Sequence, residues 1–201
     1  MKILLIDNYD SFVYNIVGLL QECRRDFPEL EWDVVRCDEV MLEDAAGCDG
    51  IILSPGPGLP SEAGNLMPLL RACAATHPIL GICLGCQAIA EVFGAALRRI
   101  DPPRHGYSSE LTDIDSEDPI VGLYQEGSGR VGRYHSWVID EESMREGVPL
   151  KITSRDEDGN IMSVRHKDLP IFGVQFHPES IITCRGGRLL RNFCMLASVC
   201  P

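Results

Sequence analysis

Ile79-Leu80-Gly81-Ile82-Cys83-Leu84-Gly85-Cys86-Gln87 is the stretch that decides the fold. Ile79–Ile82 is an apolar run of strand length, short and without alternation, as expected of a strand buried on both faces. Residues 84–93 then read as a helix. Between them, Gly81-x-Cys83-x-Gly85 is the thiol version of the G-x-S-x-G nucleophile elbow, where a strand turns sharply into a helix and presents its central side chain. Such a turn brings backbone segments close together, which glycine permits. The chain is therefore expected to make and break a thioester at Cys83.

Upstream, Lys2–Asp7 is an apolar strand ending in an acidic residue. Asp10 or Ser11 is placed to cap the next helix, whose apolar residues at 12, 13, 16, 17, 19, 20 and 23 fit helical spacing. Residues 31–37 and Gly50–Leu53 read as the second and third strands. Ser54-Pro55-Gly56-Pro57-Gly58-Leu59-Pro60 is a rigid loop, after which a helix capped by Ser61 runs toward Thr76. Alternating strands and helices imply an α/β fold, an open, mostly parallel twisted sheet flanked by helices.

Beyond Ala96 the texture changes to short β-like pieces at 96–99, 109–111, 130–134, 150–154, 161–165 and 171–176, before a last helix at 186–197. Asp158-Gly159 signals a two-residue hairpin between two of them. Additional antiparallel strands are thus expected to extend the sheet and fold back over it. One domain spanning residues 1–201 accounts for the whole pattern.

In open α/β sheets ligands bind beyond the carboxyl ends of the strands. The first strand ends at Asp7, the third at Ser54-Pro55-Gly56, the fourth at Cys83, and a late one just before His177-Pro178-Glu179. All the candidate chemistry therefore falls on one rim. A residue before proline is pushed toward extended backbone, and in extended chain residues i and i+2 share a face. Glu179 is accordingly expected to stand behind His177 and orient it, which completes a nucleophile, a base and an orienter. A helix N-terminus and a nearby imidazole both favour the thiolate form of an elbow cysteine. The glycine amides of Pro55-Gly56-Pro57-Gly58, with the amide of Leu84, are placed to face a developing oxyanion. Among the other histidines, His77 and His166 are expected at the surface, His105 in a loop, and His135 beside Ser136-Trp137.

Composition narrows the partners. A formal net charge of −12 argues against nucleic acid or an anionic membrane, both of which reward basic surface. The longest early apolar run, Ile3-Leu4-Leu5-Ile6, stops at Asp7, too short for a signal-peptide core or a membrane span, so a cytoplasmic location is expected. Nine cysteines in such a chain should be mostly reduced and buried. Cys83 and Cys86 also form a C-x-x-C, but no second ligand pair supports a zinc site, and a redox reading leaves His177-Pro178-Glu179 unexplained.

Five motifs stand in an order that resembles class I (triad-type) glutamine amidotransferases: Asp7-Asn8-Tyr9-Asp10-Ser11-Phe12; Pro55-Gly56-Pro57-Gly58; Gly81-Ile82-Cys83-Leu84-Gly85-Cys86-Gln87; Gly132-Arg133-Tyr134-His135-Ser136; and Gln175-Phe176-His177-Pro178-Glu179-Ser180. The first of these is similar to the small subunit (component II) of anthranilate synthase or aminodeoxychorismate synthase. The resemblance implies that Cys83 attacks the side-chain amide of L-glutamine, that His177 carries the proton to departing ammonia, and that Glu179 holds His177 in the right tautomer. It implies Gly56 and Leu84 as oxyanion donors. Gly56, Pro57, Gly58, Gln87, Ser136 and Trp137 fall at substrate-binding positions. It further implies no metal or cofactor in this chain, and ammonia delivered to a separate large chorismate-binding synthase subunit (component I) that holds Mg²⁺. Three positions depart from the family: Cys86 stands where histidine is commoner, Trp137 where leucine is usual, and residues 104–109 match a partner-side loop only in part. A stand-alone γ-glutamyl hydrolase, a C-x-x-C redox protein and a binding module without chemistry remain as alternatives, separable by co-purification with a synthase and by glutaminase assay.

Overall fold

The structure, a computed structural model, describes residues 1–200. In chain order its elements are β1 (Lys2–Asp7), α1 (Val13–Cys23), β2 (Glu31–Arg36), α2 (Leu42–Ala45), β3 (Gly50–Leu53), α3 (Leu66–Cys73), β4 (Ile79–Ile82), α4 (Leu84–Val92), β5 (Leu97–Thr112), β6 (Arg130–Ile139), β7 (Leu150–Asp156), β8 (Ile161–His166), β9 (Ile171–Val174) and α5 (Gly186–Val199). The strands form one sheet in the order β2-β1-β3-β4-β9-β8-β7-β5-β6. The first five in that order run parallel, and the pairings from β9 to β6 are antiparallel. The α/β sheet flanked by helices, with antiparallel strands added in the second half, is thus borne out, although among the described residues parallel and antiparallel pairings are equal in number, four of each.

Burial explains why the central strands carry no alternation. Every residue of β3, β4 and β9 is buried, because helices cover both faces of the sheet. On one face Ile16 and Leu20 of α1 and Leu190 and Phe193 of α5 pack against Ile3, Leu5 and Ile52. On the other, Leu66 and Leu70 of α3 and Ile89 of α4 pack against Leu4, Ile6 and Ile51. Each such side chain contributes about 1.5–3 kcal/mol by leaving water.

Several local expectations are corrected. The predicted pieces at 96–99 and 109–111 belong to one strand, β5, which carries Pro102 and Pro103 and shifts register between Arg99 and Arg104 and between His105 and Tyr107. Proline inside a run hides a strand from pattern reading, and bulges tolerate it. The helix expected from Ser61 is split into a 3₁₀ turn at Pro60–Glu62 and α3, because Gly64 takes φ +50° tight against Asp38. Phe12, not Asp10 or Ser11, occupies the N-cap of α1; the Asp10 carboxylate instead accepts from the Phe12 amide at 3.1 Å, one turn early. The β7–β8 connection is longer than a two-residue turn, since Asp156 accepts from the amides of Asp158 (3.0 Å) and Asn160 (2.7 Å) and organises residues 157–160.

Curling of the antiparallel half positions the site. The edge strand β6 returns to the parallel half, where Gly132 bridges His177 and its carbonyl accepts the His177 amide at 3.0 Å. The bulges in β5 supply the local bend and extra twist that such a return requires.

Candidate active site

Cys83 sits at the N-cap of α4 with φ 50° and ψ −101°, a backbone conformation that L side chains rarely adopt. Strain of this kind costs about 1–3 kcal/mol and persists only where the surroundings over-determine it. Here the Cys83 amide donates to Val174 O at 2.8 Å, and its carbonyl starts the helix by accepting from the Gln87 amide at 3.0 Å. A Cβ on Gly81 would collide with the backbone of Gly85, and one on Gly85 would lie 2.6 Å from Leu53 Cβ. The two glycines let β4, α4 and β3 close on one another, as the elbow motif requires. The result is a buried thiol, 5% exposed, at a helix N-terminus.

His177 and Glu179 are both buried, and His177 Nδ1 lies 2.6 Å from Glu179 Oε1. The pairing is as expected but its local cause is not. Ser180 N donates to His177 O at 3.2 Å, so Glu179 comes alongside through a turn rather than along an extended strand. Thr183 Oγ1 also donates to His177 O, at 2.5 Å, and receives the Gly132 amide at 2.9 Å. The ring edge of Tyr134 packs on the imidazole at 5.0 Å between centroids. Burial by itself lowers the basicity of His177. Against it, the charge of Cys83, with the hydrogen bond and charge of Glu179 behind, holds the imidazole well above its ordinary value, while its Nε2 makes no hydrogen bond within the protein. An imidazole held basic in this way is suited to take up the proton of a neighbouring nucleophile.

Cys83 opens onto a cavity of about 170 Å³ walled by Gly56, Pro57 and Gly58 from the loop after β3, by Gln87 from α4, and by Ser136 and Trp137 from β6. These are the residues singled out as substrate-binding from the motifs. His177 and Glu179 line an adjoining cavity with Phe12 and Ile181. As first residue of α4, Leu84 has an amide without an intrahelical acceptor. Gly56 is held close to Asn8, whose amide and Nδ2 donate to Ser54 Oγ (2.9 Å) and Ser54 O (2.8 Å).

Some contacts had no sequence signal strong enough to assign them. Gln175 donates to Cys83 Sγ at 3.5 Å and accepts from Gln87 Nε2 at 3.1 Å; its place two residues before His177 was the only hint. Tyr134 was visible only as part of a motif. His166 is a correction: it is buried in β8, packs its ring on Phe93 at 4.7 Å, and accepts from the amides of Asp168 and Leu169. His105 lies in β5, not a loop, and reaches the cavity wall. His77 is half-buried, with Nε2 3.1 Å from Ala45 O. Cys86 is fully buried against Gly173 of β9, where burial first and the Cys83 charge second raise its thiol well above the ordinary range. That environment suits a core thiol and not a redox partner. Among the described residues no group of three or more His, Cys, Asp and Glu is placed to hold a metal ion.

A thiol nucleophile backed by imidazole and carboxylate at the carboxyl ends of a parallel sheet defines a class of acyl-transfer site. The class-I glutamine amidotransferase family matches residues 4–197, and the chain belongs to that family. The resemblance drawn from the five motifs is therefore borne out. Anthranilate synthase component 2 of Mycobacterium tuberculosis is 43% identical over 200 residues, covering 96% of this chain and 81% of that protein. Aminodeoxychorismate/anthranilate synthase component 2 of Bacillus subtilis is 40% identical over 191 residues, covering 95% and 94%. The bifunctional protein TrpGD of Thermotoga maritima is 40% identical over 200 residues, and there the chain spans 32% of the relative's length. A crystal structure described as that of a putative GMP synthase subunit from Thermoplasma acidophilum superposes with a TM-score of 0.83, over 98% of this chain and 94% of that one, at 26% identity.

Proposed function

We propose that residues 1–201 form one domain that hydrolyses L-glutamine through Cys83, His177 and Glu179 and passes the ammonia to a separate chorismate-using synthase subunit. The carrying observation is the buried His177–Glu179 pair beside a strained elbow cysteine. The Cys83 thiolate attacks the γ-carboxamide carbon, and the oxyanion is received by the amides of Gly56 and Leu84. His177 gives its proton to the departing nitrogen, which leaves as ammonia. Water, deprotonated by His177, then attacks the γ-glutamyl thioester, and glutamate leaves with the thiolate restored. Gly58, Gln87, Ser136 and Trp137 hold the α-amino and α-carboxylate groups, and Pro57 completes the binding wall beside Gly56. These steps use no metal or cofactor of this chain; Mg²⁺ is assigned to the synthase subunit.

The synthase partner is supported by the names of the relatives and by chemistry. Ammonia in neutral water is mostly ammonium, which is not a nucleophile, so a sealed route to the acceptor preserves it. Phe12, Tyr14 and Ile181 are exposed apolar residues, two of them at the cavity beside His177, as expected of surface that a partner covers. No helix among the described residues is long and apolar enough to cross a membrane, and a cytoplasmic location accords with the reading.

The test is reconstitution with each type of component I. Glutamine plus chorismate should yield anthranilate with one and 4-amino-4-deoxychorismate with the other, or with only one of them. Cys83→Ala should abolish synthesis from glutamine and leave synthesis from ammonium salts intact. Loss of both activities in a well-folded complex would count against ammonia supply.

A further inference from the structure

The largest fully buried side chain among the described residues is a charged one that the mechanism does not use. Arg133 of β6 is 0% exposed. Its Nη1 donates to Asp156 at the end of β7 and to Ser109 Oγ at 2.9 Å, and its Nε donates to His135 Nε2 at 3.1 Å. A guanidinium can only donate, so His135 Nε2 must be the acceptor and the ring proton must sit on Nδ1. That Nδ1–H donates to Trp137 O at 3.0 Å, and the same carbonyl receives Gln87 Nε2 at 2.9 Å. Burial and, after it, the Arg133 charge keep His135 neutral, with its pKa down at about 3.

We infer that Arg133, anchored by Asp156, is a positioning residue for glutamine: through His135 it fixes the Ser136-Trp137 wall of the cavity. The inference rests on the functional reading above and adds to it the residue that holds the subsite in shape. Three features favour this over a purely structural role. A buried ion pair is often no more stabilising than well-packed apolar residues, so it is weak evidence for stability alone. This one also leaves Arg133 Nη2 without a partner, which adds to its cost. And its only contact toward the cavity runs to an imidazole whose other nitrogen grips the wall. Without the guanidinium, His135 Nε2 loses its donor and the ring is free to take the other tautomer. Nδ1 then becomes an acceptor facing the Trp137 carbonyl, two acceptors repel, and the wall moves away from its bound-state geometry. A neutral His135 also keeps positive charge away from the α-ammonium of glutamine.

The experiment uses the full chain in complex with its synthase. Arg133→Met combined with Asp156→Asn removes both charges together and leaves no orphaned carboxylate. The expected result is a KM for glutamine raised about tenfold or more, with kcat changed by less than about threefold, the signature of lost ground-state positioning. Iodoacetamide should alkylate Cys83 at the wild-type rate. A folded double variant with wild-type KM overturns the inference, as does a kcat that falls with KM unchanged. Imidazole ¹⁵N NMR on the wild-type chain gives a second, substitution-free readout: His135 must appear as the neutral Nδ1–H tautomer down to pH 5, and an Nε2–H or doubly protonated ring overturns it. If the wild-type complex hydrolyses no glutamine, the functional reading falls, while the tautomer measurement still decides whether Arg133 sets His135.

Discussion

Glu179 Oε1 lies 2.6 Å from His177 Nδ1 inside a turn closed by the Ser180 amide, with Pro178 between them. A carboxylate in this position selects the tautomer that presents Nε2 to the thiol and stabilises the imidazolium once formed. Glu179→Gln keeps the shape and removes the charge. It should lower kcat for glutamate release by about 10²–10⁴-fold while KM for glutamine stays near wild type. A loss smaller than threefold in initial-rate assays would remove Glu179 from the mechanism.

Gly56 has no room for a side chain: a Cβ there would lie 2.5 Å from Asn8 O and 2.8 Å from Leu84 Cδ2. Gly56→Ala must therefore push the loop after β3 away from α4 and disturb both assigned oxyanion donors together. The expected loss is about 10²–10³ in kcat, the usual cost of one oxyanion donor. Circular dichroism should remain native-like. Unchanged turnover would mean that the oxyanion is held elsewhere.

Cys86 packs into the face of the sheet opposite the α1–α5 side, against Gly173. Cys86→Ser should leave glutaminase turnover within about twofold but destabilise the fold by about 1–3 kcal/mol, because it buries a hydroxyl where a thiol sat. Thermal melts and steady-state rates on the same sample separate the two effects. Collapse of activity at intact stability, or a Cys83–Cys86 disulfide formed under a glutathione buffer, would revive the redox alternative.

His135 predicts an acid-side instability. Its folded pKa of about 3 lies below the ordinary 6.5, with burial the main cause. Between those values the unfolded chain takes up a proton that the folded chain refuses, so stability falls as pH drops from about 6.5 toward 3, by about 1.4 kcal/mol per pH unit within the window. Asp118, whose pKa burial raises, pulls in the opposite sense over its own range. The His135 share is thus read as the difference in slope between the wild type and His135→Gln in urea titrations at several pH values. Equal slopes would show that His135 titrates normally.

Much of the site was legible because its signals are local. Gly81, Cys83 and Gly85 must be close in sequence to make one turn, and their steric need for glycine acts over a few residues. Chain order along the strands was enough to place Asp7, Gly56, Cys83 and His177 at one rim, since parallel strands joined by helices end on the same side. Less legible were the parts whose cause lies across the chain. β5 was broken by its prolines into separate pieces, and His166 looked like a surface residue beside Arg165 and Lys167 until Phe93 of the segment after α4 covered it. Gln175 stood in a recognised motif, but its contact with Cys83 was not legible, because it spans 92 positions.

The elbow, the order of the parallel strands' ends and the family could all be read from the chain, because each depends on short-range sterics or on motifs that survive intact along it. How β6 comes back to His177 and sets Ser136 and Trp137 opposite Cys83 is a matter of tertiary packing. That return depends on the bulges and curl of β5 and on buried pairs such as Arg133–Asp156, whose partners are brought together only by the packed sheet.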